Sequence, residues 1–349
     1  MNRPLLIRAD ASSAIGVGHV MRCLALAQAW QDAGGRVMLL SATLPESLRE
    51  RLQPDHLVPI TLDAAPATQA DADETRRLAH TVEATWVVVD GYGFGPDYYE
   101  YLRAGGLRVL ALDDMSHQPR YPVDVLLNQN LSAGLSIYAG KIDDTTELLL
   151  GPHYSLLRRE FRVASETMRE PSHTPRRVLI SFGGGDAENF TARILANLIA
   201  SGRIDLEVVV LAGAANPHVA SLRESAASAP FACEVRASIE NVAEAMTWAD
   251  AAITAGGSTV WELASMTVPA LIGACEDNQL SGLRALSEIS FFRAWPIDEL
   301  LARDLMTELD ALLEAHPAPG VSFDARGATR VVDRLQMLGA LNPIEFSPA

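Results

Sequence analysis

The sequence predicts the α/β class: two domains, each a mostly parallel sheet with helices on both faces, meeting across a cleft. Three observations predict it. Apolar strand-like runs recur along the 349 residues with helical stretches between them. Several runs are unbroken Val, Ile and Leu, the pattern of parallel strands covered on both faces. A polar, Pro-flanked stretch divides the runs into two similar sets, and strands that alternate with helices imply βαβ units.

LLIRA (5–9) opens the first set. The helix after it carries Cys23, Leu26, Ala27 and Trp30 at i, i+3, i+4, i+7 spacing, one buried stripe. RVMLLS (36–41), WVVVD (86–90), RVLALD (108–113) and DVLLNQN (124–130) complete the first set. Residues 148–177 begin with a short helical pattern and turn polar, which puts a linker near 160–175. The second set is RRVLISF (176–182), LEVVVLAG (206–213), FACEVRA (231–237), DAAITAGG (250–257) and PALIGA (269–274). The expected domains are 1–165 and 166–349. A last helix, within 323–341, is placed to pack back toward the first domain. In such sheets ligands bind beyond the carboxyl ends of the strands.

Composition narrows the function. The formal net charge is -16, a poor match to nucleic acid or to an anionic membrane surface, both of which need clustered Lys and Arg. No run approaches the ~18 apolar residues of a membrane span. Asp10 arrives too early for a signal-peptide apolar region, so the cytoplasm is the expected compartment. Cys23, Cys233 and Cys275 lie far apart, show no metal-ligand spacing and form no disulfide framework.

Three glycine-rich turns carry the candidate chemistry. AIGVGH (14–19) joins the first strand to its helix, and His19 opens that helix beside Gly18. The positive end of the helix dipole favours an uncharged ring there, one able to take a proton from water. A capping or packing histidine is the alternative. SFGGGDAENFT (181–191) is a strand–loop–helix unit suited to an anion or to a structural turn. It lacks both the Walker and the dinucleotide pattern.

The third turn is ITAGGSTVWELASMTVPALI (253–272). The N–H groups around Gly256, Gly257 and Ser258 can hold a diphosphate without a metal, and Glu262 lies one helical turn on, placed for a ribose diol. Ser258 as an N-cap and Glu262 as a dipole partner is the alternative. Asn278 and Gln279 precede the next helical stretch, as sugar- or water-orienting amides or as helix caps.

The stretch R-x-D-x-S-x-x-I-G-x-G-H-x-x-R (Arg8 to Arg22), A-G-G-S-T-x-W-E-L (Ala255 to Leu263) and E-D-N-Q (Glu276 to Gln279) resemble the UDP-sugar hydrolases typified by PseG. These act on UDP-2,4-diacetamido-2,4,6-trideoxy-β-L-altropyranose in pseudaminic acid synthesis. D-G-Y (Asp90 to Tyr92), L-D-D (Leu112 to Asp114), D-x-L-L-N-Q-N (Asp124 to Asn130), Y-x-L-L-R-x-E-F (Tyr154 to Phe161) and D-x-R-G-A-x-R-V-V (Asp324 to Val332) match in the same order.

The resemblance implies two Rossmann-like domains of GT-B type. It also implies metal-independent, inverting hydrolysis with no cofactor and a UDP-sugar as the small-molecule partner. His19 would be the base, Glu262 the ribose ligand, and Gly256–Ser258 the diphosphate turn. Asn278 would contact substrate, and Tyr92, Asn130 and Arg158 would line the sugar side. The loops DGYGFGPDYY and SAGLSIYAG are rich in Gly and Ala, a departure that bears on which sugar fits. A GT-B glycosyltransferase and a nucleotide-sugar binding protein without turnover are the competing readings.

Overall fold

The computed structural model describes residues 3–12, 15–166, 176–183, 186–213, 216–237, 241–280, 282–314 and 323–341, with the side chains of 277, 278 and 341 left aside. The chain divides into two units: Met1–Arg159 with Arg326–Ala349, and Glu160–Ala325.

Unit 1 is built on seven strands: β1 (Leu5–Ala9), β2 (Val37–Ser41), β3 (Ile60–Thr61), β4 (Trp86–Asp90), β5 (Arg108–Leu112), β6 (Val125–Asn128) and β7 (Glu147–Leu150). They pair in the order β3-β2-β1-β4-β5-β6-β7, and every pairing is parallel. All five residues of β1 and of β4 are buried, as unbroken apolar runs in the middle of a doubly covered sheet should be. The chain steps outward from β1 to β2 and β3, then returns to lay β4 on the other side of β1. Their carboxyl ends therefore lie where the winding reverses, the place where ligands bind in open α/β sheets. Ala9 and Asp90 stand opposite each other at that point.

Unit 2 repeats the plan with β8 (Arg176–Ser181), β9 (Leu206–Leu211), β10 (Ala232–Arg236), β11 (Ala251–Ala255), β12 (Ala270–Ala274) and β13 (Phe292–Pro296). The order is β10-β9-β8-β11-β12-β13, again all parallel, with the reversal between β8 and β11. The second and third glycine-rich turns leave the carboxyl ends of those two strands.

The parallel α/β class expected from the sequence is what both sheets show. Three strands have no counterpart in that reading. β3 has two residues, β7 opens a stretch with a helical pattern, and β13 (FRAWP) is a half-buried edge strand without an apolar run.

The expected boundary at 165/166 also differs from the observed division, and the final helix accounts for most of the difference. This helix, Gly327–Leu341, places Ala328, Val331, Val332 and Leu335 in one core with Leu24, Ala27 and Trp30 of α1 (Gly18–Asp32). Its first residue needs to be glycine, since a Cβ on Gly327 would lie 2.2 Å from the Ser155 carbonyl oxygen. Among the described residues no helix is long and apolar enough to cross a membrane.

Candidate active site

In unit 1 the site starts from a turn. Gly16 adopts a left-handed φ of 72°, and its N–H closes back on the Ser12 carbonyl. The chain then enters α1 at Gly18. A Cβ on Gly18 would meet nothing within 4 Å, so open space borders the next residue, His19.

His19 is only 7% exposed, and its Nδ1 lies 2.6 Å from Asp90 Oδ1. Asp90 ends the fully buried strand β4, which explains how a polar group reaches this depth. Burial opposes its charge, but the Arg22 guanidinium and the His19 ring outweigh burial and hold the carboxyl well below the usual carboxylate range. An ionised carboxylate can only accept, so Nδ1 carries the hydrogen. Arg22 Nη2 also lies 2.6 Å from Asp90 Oδ1, and it stands 3.2 Å from Nδ1. Those two nitrogens are donors converging on one oxygen, so the approach between them is no bond. This tautomer leaves the lone pair on Nε2, and among the described residues no donor reaches it.

From the sequence, the helix dipole at the head of α1 is the expected control on the ring. The structure adds a carboxylate partner 71 positions away, a contact that periodicity does not signal. The signal was present in a different form: an Asp closing an apolar strand at the reversal of winding.

Arg22, one turn after His19, organises the rest. Its Nε donates to Asp90 Oδ2 at 2.7 Å, and its Nη1 donates to both oxygens of Asp114 at 2.8 and 2.9 Å. Asp114 also accepts from the Tyr92 hydroxyl at 3.1 Å and from Asn130 Nδ2 at 3.2 Å. Burial raises the Asp114 carboxyl, but the guanidinium more than offsets this and holds it below its ordinary value. The Tyr92 ring meets the His19 ring edge-on at 4.8 Å.

Thus His19, Arg22, Tyr92 and Asn130 form one network through Asp90 and Asp114. Its fixed charges, one guanidinium and two carboxylates, sum to −1. Arg158 is buried on the segment that follows β7. Cys23 packs in the core as expected, and its thiol donates weakly to Asp90 Oδ2 at 3.5 Å. Burial and the nearby carboxylate push that thiol well above its ordinary range.

In unit 2 the third turn keeps part of its expected character. Gln279 Oε1 accepts from Gly256 N–H at 3.1 Å and from Cys275 N–H at 2.9 Å. The Gly256 N–H is therefore already used inside the protein, which corrects its assignment as an anion donor. A Cβ here would come within 3.1 Å of Gln279 Cβ, a tight approach to which the Gln279 side chain would have to yield. Gln279 binds its own fold through Oε1, and among the described residues no acceptor reaches Nε2.

Ser258 stands at the N-cap of the helix Thr259–Ser265, but its side chain makes no capping bond. Among the described residues no acceptor reaches the N–H groups of Gly257, Ser258 and Thr259. Glu262 is half-buried within that helix. Asn278 belongs to the helix Asp277–Leu280, and its side chain lies outside the described residues.

At the second turn, residues 184 and 185 also lie outside them. There Asp186 accepts from the N–H groups of Phe190 and Thr191 at 2.8 and 3.0 Å, so the helix Phe190–Ala200 carries its own anion. Among the described residues no cluster of three or more His, Cys, Asp or Glu could hold a metal ion.

No family model matches the chain. It is 23% identical over 274 residues to an uncharacterized protein of Methanocaldococcus jannaschii, covering 77% of this chain and 55% of that protein. It is 25% identical over 226 residues to the UDP-2,4-diacetamido-2,4,6-trideoxy-beta-L-altropyranose hydrolase of Campylobacter jejuni, covering 64% of this chain and 74% of that one. The chain thus spans about half the length of the first relative and three quarters of the second. Among solved structures, MurG of Acinetobacter baumannii superposes with a TM-score of 0.62 at 19% identity, covering 97% of this chain and 100% of that one. The fold is therefore of GT-B type, with two Rossmann-like units.

Proposed function

We propose that this chain hydrolyses a UDP-linked 2,4-diacetamido-2,4,6-trideoxyhexose to UDP and the free sugar, with His19 as general base. The observation that carries the reading is the His19–Asp90 pair, which fixes a lone pair on Nε2 at the winding reversal of unit 1. The Campylobacter relative supports the substrate class.

In the proposed step Nε2 takes a proton from water while the water oxygen attacks the anomeric carbon. The bond from that carbon to the UDP oxygen breaks, the electron pair leaves with the diphosphate, and the anomeric centre inverts. Asp90, already accepting from Nδ1–H, stabilises the imidazolium that forms, and the ring later returns its proton to solvent. UDP is a good leaving group, so holding its charge replaces a strong general acid and the reading invokes no metal. The N–H groups from Gly257 onward are assigned to the diphosphate and Glu262 to the ribose.

Incubation with the UDP-sugar in water alone tests the reading, and UDP should appear together with the free sugar. Turnover that requires an acceptor sugar would move the chain to the glycosyltransferases. Glu262→Ala should weaken UDP binding about tenfold, the value of roughly one good hydrogen bond to a charged group. An unchanged Kd for UDP removes the ribose role.

A further inference from the structure

Asp114 takes no part in the proton transfer proposed above, yet it gathers three side chains from three separate elements. It accepts from Arg22 on α1, from Tyr92 on the loop after β4 and from Asn130 on the loop after β6. Its side chain is 14% exposed, and Arg22 keeps it ionised. A carboxylate without a proton has nothing to donate, so every partner must turn a hydrogen toward it.

At Asn130 this decides the orientation of the amide. Nδ2 faces the Asp114 carboxylate at 3.2 Å and the Asp114 main-chain carbonyl at 3.4 Å, both acceptors. The amino end must therefore be the one on that side, and Oδ1 points away as an acceptor. Among the described residues nothing donates to it. Tyr92 likewise spends its hydroxyl proton on Asp114, which leaves only lone pairs on the phenol oxygen. The Tyr92 ring is 4.8 Å from that of His19, so Tyr92 borders the base, and Asn130 is joined to Tyr92 through the Asp114 carboxylate. The surrounding fixed charges, one guanidinium and two carboxylates, disfavour an anionic sugar.

We propose that Asp114 is the positioning residue that sets the hydrogen-bond polarity of the sugar subsite, presenting Asn130 Oδ1 as an acceptor for a neutral sugar with an acylamino N–H. The inference rests on the UDP-sugar reading and adds to it the reason an N–H is read.

The test compares two UDP-sugars that differ at one linkage, acetamido in one and acetoxy in the other. The ester keeps the shape and carbonyl of the amide and lacks its donor. The wild-type chain should prefer the amide by about 10–100-fold in kcat/KM, since an acceptor aimed at a missing N–H goes unmet. Asn130→Ala should reduce the preference to within about threefold and leave the Kd for UDP unchanged. Asp114→Asn frees the Asn130 amide to turn over and should erode the same preference, while Asp114→Glu restores part of it. A purely structural role for Asp114 would lower both rates together and keep their ratio.

Equal use of amide and ester by the wild type overturns the proposal and leaves the hydrolase reading intact, as does a full preference in Asn130→Ala. An obligatory acceptor overturns the hydrolase step alone, because the ratio can then be measured with acceptor present. Failure to bind UDP or consume either compound sinks the UDP-sugar reading, and this assignment falls with it.

Discussion

His19→Asn should lower kcat by at least about 10²-fold, within the 10²–10⁴-fold range of a positioned general base. The asparagine amide can still donate to Asp90, so the packing around the buried carboxylate survives. The amide offers no basic lone pair where Nε2 stood, so the proton of the attacking water has nowhere to go. UDP binding should persist, since the groups assigned to the nucleotide are on unit 2. Single-turnover kinetics beside a UDP titration separates the two effects. Near-normal kcat removes the base assignment. A loss of UDP affinity equal to the loss of rate would make His19 a binding residue instead.

The largest loss of stability should come from Arg8→Met. Arg8 is wholly buried in the middle of β1, with Nε and Nη2 on the Asp71 carboxylate at 2.8–3.2 Å. Its Nη1 lies 2.8 Å from Asp10. Desolvation works against a charged guanidinium there, but the two carboxylates outweigh it and hold Arg8 protonated. Methionine fills a similar volume and leaves Asp71, itself 0% exposed, as a buried charge without its counterion. Removing one member of such a pair costs about 3–5 kcal/mol, even where the intact pair contributes little net stability. Urea unfolding measures the loss. Hydrogen exchange at β1 and β4 assigns it to unit 1 and keeps it apart from any change in unit 2. A loss below about 1 kcal/mol would show that water reaches Asp71.

Arg8 also shows what a motif can conceal. The stretch from Arg8 to Arg22 reads as one signature, but its parts do different work. Arg8 and Asp10 are scaffold: Asp10 accepts from Ser41 Oγ and from the N–H groups of Ala42 and Thr43, which ties the end of β1 to the end of β2. His19 and Arg22 carry the candidate chemistry.

The strands were legible because a strand buried on both faces writes itself as an apolar run. WVVVD and LLIRA match β4 and β1 residue for residue. Edge strands bury less and leave a weaker trace, which is why FRAWP went unseen. The glycine turns were legible as turns. Their internal bonds were not, since Gln279 reaches Gly256 from 23 residues away and Asp114 reaches Arg22 from 92. Spacing along a chain reports neighbours on one helix or strand. Which loops meet is set by the order of strands in the sheet.

Gly327 resting on the Ser155 backbone has a bearing on how the molecule comes into being. A ribosome releases the chain from its amino end, and domains generally fold as units as they emerge. The strands of the first unit leave the tunnel early, yet the helix that seals α1 is made only after the whole of the second unit. The later-made unit is thus the first to have its entire sequence in hand. Until that helix is made, the earlier one waits with an oily flank uncovered.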